Sequence, residues 1–312
     1  MATQRIVVVG ASNMDLISYV PRLPAPGETL HGHAFQLGYG GKGANQAVMA
    51  ARLGTPVSFV GKVGRDVFGD GMRANFAEHG VDTTHLHVTA EASSGVAPIA
   101  VEPDGTNAII IVTGANDLLT TDELDQARPT IAGAAVLVCQ LEIPVERSLA
   151  ALRSAREEGV RTILNPAPAR SDLPDELFAL ADVLCPNESE TALLTGGPVT
   201  TPAEANAGAQ ALRARGAGAV VLTLGDRGCL VVDDDGAVAL PADAVDAVDT
   251  TGAGDAFVGA LAHFLAAGAD LRTAAARANR VAALSVQGRG TQTSFPARAD
   301  LTPDVLEGLP SG

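Results

Sequence analysis

The sequence predicts an α/β fold: a doubly wound, mostly parallel sheet flanked by helices, with a small antiparallel β lid. Three observations carry this reading. Short runs of β-branched and aliphatic residues recur along the chain. Helical patterns that end at Gly lie between them. Two further stretches are strand-like, turn on Pro or Gly, and have no helix between their strands. In chain order, Ile6-Val7-Val8-Val9 ends at Gly10 and suits a strand buried on both faces. Leu16 to Phe35 supplies the first half of the lid, and Ala44 to Leu53 is a helix ending at Gly54. Val57 to Val60 is a strand; Val96 to Val112 is the second half of the lid, turning at Pro103-Asp104-Gly105. Ala135 to Cys139, Thr162 to Leu164, Val183 to Leu184 and Val220 to Leu224 are strands. Val145 to Glu158 and Ala203 to Arg215 are helices that stop before Gly159 and Gly216, the residue type that tolerates a left-handed cap. An apolar helix covers Ala256 to Ala267. No repeat, low-complexity tract or linker interrupts the chain, so residues 1–312 read as one domain.

Length and composition narrow the function. At 312 residues the fold buries roughly 75% of the unfolded surface without a metal or disulfide staple. Hydrophobic residues are 46% and charged residues 18%, which excludes a disordered chain. Lys+Arg number 21 and Asp+Glu 36, giving a net charge of −15. That balance argues against nucleic acid and against anionic membranes, since phosphate contacts need clustered cations. Cys139, Cys185 and Cys229 are odd in number and widely spaced, so they form neither a disulfide framework nor a zinc knuckle. Met1 to Val9 lacks the parts of a signal peptide, and no apolar run reaches the roughly 18 residues of a membrane span. The expectation is a soluble cytoplasmic protein.

Any anionic ligand must then be held by local devices, and the motifs offer several. Gly38-Tyr39-Gly40-Gly41-Lys42-Gly43 formally matches GxGxxG but comes after the lid instead of the first strand, which speaks against a dinucleotide fold. Its glycines allow close backbone approach to a polar ligand, with Lys42 and Asn45 at the start of the next helix. A Lys there opposes the helix dipole, which favours a functional reason for it. GxxxxGK[ST] and GxSxG are both missing, which argues against a P-loop NTPase and an α/β-hydrolase. Asp249-Thr250-Thr251-Gly252-Ala253-Gly254-Asp255 stands just before the apolar helix. Small residues leave the N–H groups of Gly252, Ala253, Gly254 and Asp255 bare, an anion hole suited to a transferred phosphoryl group. Asp255 stands in the same turn, able to accept a hydroxyl proton; the plainer reading is a first-turn acid favoured by the dipole. Asn187-Glu188-Ser189-Glu190 opens a helix, where capping explains the Asn and the acids could hold Mg²⁺ through water. The run Thr223, Leu224, Gly225, Asp226, Arg227 and Gly228 comes after a buried strand and is either a tight turn or part of a ligand site at a strand's carboxyl end.

Together these elements resemble the ribokinase (PfkB-type carbohydrate kinase) family from Ile6 to about Pro296. Gly40-Gly41-Lys42-Gly43-Ala44-Asn45-Gln46-Ala47 is similar to the family's N-terminal signature, and Asp249 to Phe257 to its C-terminal one. Gln140-Leu141-Glu142, Asn165-Pro166-Ala167-Pro168-Ala169 and Pro186-Asn187-Glu188 narrow it towards the ribokinase branch. The resemblance implies ATP-dependent phosphorylation of the 5-hydroxyl of D-ribose. Asp255 would be the base and Gly252, Ala253 and Gly254 the anion hole. The sugar would meet Asn13, Met14, Asp15, Gly41, Lys42, Gly43, Ala44, Asn45, Glu142 and Asp255. ATP would lie on Asn187, Thr223 to Gly228, Gly254, Asp255 and Asn279. Glu190 matches the last position of the family's NxxE motif, linked to Mg²⁺. A monovalent cation, normally K⁺, would be held by Asp249, Thr251, Ser285, Gly288, Gly290 and Ser294. A homodimer through the lid strands is also implied. Ser12-Asn13-Met14 is similar to a tripeptide that deoxyribokinases carry one residue earlier; counted from Gly10, Asn13 keeps the ribokinase register, while Met14 leaves 2-deoxyribose open. The alternatives are a kinase for another sugar or a nucleoside, and a noncatalytic sugar-binding regulator on the same fold.

Overall fold

The computed structural model of the chain describes residues 5–306. The strands are β1 Ile6–Val9, β2 Asn13–Tyr19, β3 Ala34–Gly40, β4 Val57–Gly64, β5 Asp82–Thr89, β6 Gly95–Val101, β7 Asn107–Ile109, β8 Val136–Cys139, β9 Arg161–Leu164, β10 Val183–Leu184, β11 Ala219–Thr223, β12 Cys229–Asp233 and β13 Gly236–Leu240. The helices are α1 Lys42–Arg52, α2 Val67–Glu78, α3 Thr121–Ala132, α4 Val145–Glu157, α5 Asp175–Ala179, α6 Glu188–Thr195, α7 Pro202–Ala214, α8 Ala253–Ala266 and α9 Leu271–Ser285.

Nine strands form one sheet in the order β13-β12-β11-β10-β9-β8-β1-β4-β5. It is parallel from β11 to β5, and only β12 and β13 run antiparallel at one edge. The apolar runs explain the layering. Successive strand residues face opposite sides of a sheet. Ile6 and Val8 therefore pack with Val48 of α1, Phe257 of α8 and Ala274 of α9. Val7 and Val9 face the other way, onto Ile131 of α3, Leu152 of α4 and Leu212 of α7. Each such side chain contributes roughly 1.5–3 kcal/mol when fully buried. The central strands thus carry no polar face, and helices cover both sides of the sheet.

The smaller sheet has the order β3-β2-β6-β7. It is antiparallel within β2–β3 and within β6–β7, and the two pairs meet through the parallel contact of β2 with β6. The 16–35 and 96–112 segments supply its strands, but β2 begins at Asn13 and β3 ends at Gly40. Both candidate motifs therefore sit at the root of this sheet. Among the described residues, no helix is long and apolar enough to cross a membrane.

One close approach fixes where two helices begin. A Cβ at Gly259 of α8 would lie 2.6 Å from the Gln46 carbonyl oxygen and 2.7 Å from the Met49 Cβ. Only glycine permits that distance, so α8 crosses α1 backbone against backbone. The first turns of both helices consequently open at the carboxyl end of the large sheet.

Candidate active site

A cavity of about 180 Å³ lies at this end. Lys42, Asn165, Asn187, Glu190, Thr223, Gly252, Gly254 and Asp255 line it. Ligand crevices of open α/β sheets form beyond the carboxyl ends of strands, and the chain obeys that rule. Asn165 comes after β9, Asn187 after β10, and Thr223 ends β11.

Asp255 is 7% exposed, although it is an unpaired-looking acid in the sequence. Its burial is tolerated because both oxygens are hydrogen-bonded. Asn45 Nδ2 donates to Oδ2 at 2.9 Å, and Gln46 Nε2 donates to Oδ1 at 2.9 Å. The two amides are themselves held. Gln292 Nε2 donates to Asn45 Oδ1 at 2.9 Å, and Asn75 Nδ2 donates to Gln292 Oε1 at 2.8 Å. On the other side Gln140 Nε2 donates to Gln46 Oε1 at 2.6 Å, while Gln46 Nε2 also reaches Asn165 Oδ1 at 3.0 Å.

The turn before α8 is built for an anion. Gly252 adopts φ +78°, a left-handed conformation, and a Cβ there would strike the Thr291 side chain. Having no side chain, it places no cap over the helix start. The Ala253 N–H bonds the Thr250 carbonyl at 3.2 Å, so it is not bare as the sequence suggested. Gly254 and Asp255 stand in the first turn, where no carbonyl four residues back is available within the helix. The open donors thus narrow to that pair and Gly252.

Charge is concentrated here. Lys42 stands in the first turn of α1, and Asp255 first, then Glu142 and Glu190, hold its ammonium above the ordinary value against the opposing effect of burial. Glu142 takes the place of a helix cap: its Oε2 accepts from the Lys42 backbone N–H at 2.7 Å. Burial pushes the Glu142 carboxyl up, partly offset by Lys42. Burial likewise raises Glu190, whose Oε2 accepts from the Asn187 N–H at 2.9 Å in a reciprocal capping box. Asp15 is raised to about 7 by burial, then by Glu142 and Asp255. Without ligand the site is therefore a cluster of carboxylates that resist ionising together.

This has a stability consequence. A carboxyl raised on folding keeps its proton in the native state at pH values where the unfolded chain loses it. Its contribution is intact below the unfolded value near 4 and is lost as pH rises through about 7. Asp15→Asn is therefore expected to raise the melting temperature of the ligand-free protein by a few degrees at pH 8 and much less at pH 5. Thermal melts at the two pH values check this; an equal shift at both would contradict it.

The other candidates divide by place. The Asn13 side chain is buried, and its Oδ1 accepts from Asn116 Nδ2 at 2.8 Å, leaving its own N–H groups to offer. Met14 alternates to the opposite face of β2 and packs in the hydrophobic core with Met72, away from Asn13 and Asp15. Gly43 and Ala44 are buried in the first turn of α1, and Gly41 precedes that helix at φ +87°. Gly225, Asp226 and Arg227 form a 3₁₀ turn after β11 and Leu224, which is buried. Arg227 pairs with Glu188 of α6, and Leu224 and Gly228 close that turn with a backbone bond of 2.8 Å. Asn279 is buried behind the edge strands, donating to the Leu240 carbonyl at 3.0 Å and to Cys229 Sγ at 3.4 Å.

Asp249, Thr251, Ser285, Gly288, Gly290 and Ser294 gather on the far side of the α8 turn. Asp249 Oδ1 accepts from the Thr251 N–H and Oδ2 from the Gly290 N–H, each at 2.9 Å. Burial works to raise this carboxyl, but those donors outweigh it and hold it below the usual range. Ser285 Oγ donates to the Ala282 carbonyl, Ser294 Oγ to the Thr291 carbonyl. The donor atoms brought together are oxygens, mostly neutral, which suits a monovalent cation. Glu190 and Asn187 likewise present oxygen to the cavity, which suits hydrated Mg²⁺.

Sequence reading missed the supporting amides Gln292, Asn75 and Asn116. No local pattern singles them out; only the fold shows that they are buried and kept because they are hydrogen-bonded.

With this geometry in hand, similarity to known proteins is informative. The profile of the pfkB family carbohydrate kinases matches residues 3–298. Ribokinase of Mus musculus is 47% identical over 300 residues, covering 95% of this chain and 93% of that protein. Deoxyribokinase of Salmonella typhi is 41% identical over 292 residues, covering 94% and 95%. The solved structure of Arabidopsis thaliana ribokinase complexed with ribose and ATP superposes with a TM-score of 0.89 at 31% identity, covering all of both chains.

Proposed function

The chain belongs to the pfkB family of carbohydrate kinases and is an ATP-dependent sugar kinase, and from this premise we propose that it transfers the γ-phosphoryl group of ATP to the 5-hydroxyl of D-ribose. The observation that carries the chemistry is Asp255: a buried carboxylate beside the open first turn of α8, in the same cavity as Lys42. Asp255 accepts the hydroxyl proton as that oxygen attacks phosphorus in line. The first-turn N–H groups of α8 receive the charge that develops on the phosphoryl oxygens. Asn13, Asp15, Lys42, Asn45 and Glu142 supply the donors and acceptors a polyol needs. Asn187 and the turn from Thr223 to Gly228 border the nucleotide. Glu190 would hold hydrated Mg²⁺, which would neutralise phosphate charge; oxygens of the 249–251 and 285–294 segments would hold K⁺.

We further propose that residues 1–312 act as one unit, with the smaller sheet as a lid over the sugar. Phe35, Leu37, Ile109 and Ile110 are exposed on that sheet, which supports a homodimer through the lid strands. The buried free thiols fit a reducing cytoplasmic compartment.

The Salmonella typhi relative favours one second reading, in which 2-deoxyribose is the preferred acceptor. Coupled ADP-release assays over ribose, 2-deoxyribose, fructose and adenosine, with and without K⁺, decide between them. Highest kcat/KM for ribose, with turnover that falls on K⁺ removal, is the expected result. Tenfold preference for 2-deoxyribose installs the second reading, and K⁺-independent turnover removes the monovalent cation from the site.

A further inference from the structure

We propose that Gln292 is a positioning residue for phosphoryl transfer: it locks the Asn45 amide in the one orientation that puts an N–H on Asp255 Oδ2. The inference rests on Asp255 being the proton acceptor.

The sense of the chain of amides is set by its end. An ionised carboxylate only accepts. Asn45 must therefore turn its Nδ2 to Asp255, as the 2.9 Å contact requires, and its Oδ1 is left facing Gln292. Gln292 must then present Nε2, which lies 2.9 Å from that oxygen. Its remaining Oε1 needs a donor, and Asn75 Nδ2 supplies it at 2.8 Å. Asn75, Asn45 and Gln292 are 8%, 4% and 5% exposed, so bulk water is a poor substitute at any step. Without Gln292, nothing holds Asn45 Oδ1, and the amide is free to swing off Asp255 and leave Oδ2 short of a donor.

A buried amide chain is a costly way to fill space. Each group left unmet is destabilising, whereas apolar residues of like volume fill a core at no such risk. Three amides in series make sense if their direction matters. Gln292 also lies two residues beyond Gly290, whose N–H is bound by Asp249. The orientation of the reacting carboxylate thereby depends on the 285–294 segment, although that segment does not line the cavity.

Gln292→Met keeps length and removes both hydrogen-bonding functions. It is expected to lower kcat tenfold or more while KM for ATP stays within twofold. In an Asn45→Ala chain the same substitution should change kcat less than twofold, because no amide remains to be oriented. A kcat within twofold of the parent, or an equal loss in both backgrounds, overturns the proposal. Should Gln292→Met fail to fold with Asn75 left unmet, the Asn75→Leu/Gln292→Met pair removes both buried polar groups and should show the same loss; a folded pair with parental kcat overturns it. Asp255→Asn measured alongside separates the two ideas. If it is inactive while Gln292→Met is fully active, only the positioning role falls; if it is fully active, the proton-acceptor reading falls.

Discussion

Asp255→Asn is expected to lower kcat by about 10²–10⁴, the range a positioned general base contributes. The substitution is isosteric and removes one charge, but the site makes it harsher than usual. Asn45 Nδ2 and Gln46 Nε2 both point donors at residue 255. A carboxamide has one oxygen, so one of these donors meets an N–H instead of a lone pair. Loss of base function is therefore joined by a local mismatch of about 1–3 kcal/mol. Single-turnover kinetics with saturating ATP and sugar reads the chemical step, and a thermal melt reads the mismatch. Turnover within threefold of the parent would remove Asp255 from the reaction.

Lys42→Met is expected to act on both stability and catalysis. Its ammonium lies among Asp255, Glu142 and Glu190 and counters the burial that raises the two glutamates. Breaking a buried charge pair on one side costs about 3–5 kcal/mol. Lys42 is half-buried, so water screens part of this and about 1–3 kcal/mol is the expected loss at pH 8. The sign with pH is set by the carboxyls. Glu142 and Glu190 are raised on folding, so they take up protons earlier than in the unfolded chain as pH falls and leave less charge to be countered. The destabilisation should shrink from pH 8 to pH 5, which denaturant unfolding at both values tests. The sugar kcat/KM at pH 8 should drop at least 100-fold, since the lost side chain lines the cavity directly beside Asp255. A variant with parental stability at pH 8 would show that the carboxylates do not need this counterion.

Much of the fold was legible because the large sheet is buried on both sides. Continuous apolar runs such as Ile6–Val9 and Val136–Cys139 have no other economical use. The strand β5 escaped notice because it is an edge strand, and Asp-Thr-Thr-His-Leu-His-Val-Thr lacks an unbroken apolar run. Helix α3 contains Pro129, which disguises its period, and the β12–β13 hairpin turns on acidic residues that read as a solvated loop. The candidate site obeyed the same logic. The two glycine-rich helix starts announce themselves by composition, since few other reasons exist for Gly-Ala-Gly before an apolar helix. Met14 was less legible, because a tripeptide gives no strand register; pairing of Met14 with Tyr39 sets which face it takes. Gln292 is 247 positions from Asn45, Asn75 is 217 from Gln292 and Asn116 is 103 from Asn13, so nothing local marks these pairings.

The amides around Asp255 also decide where acidity can go. Every inward path from the carboxylate ends on a neutral carboxamide, and such a group relays H⁺ only through a high-energy imidic acid form. The protein interior is thus an insulator behind the reacting oxygen. Whatever hydron Asp255 receives must depart through the opening by which nucleotide and sugar arrive, so each catalytic cycle resets outward, into solvent, and never through the core.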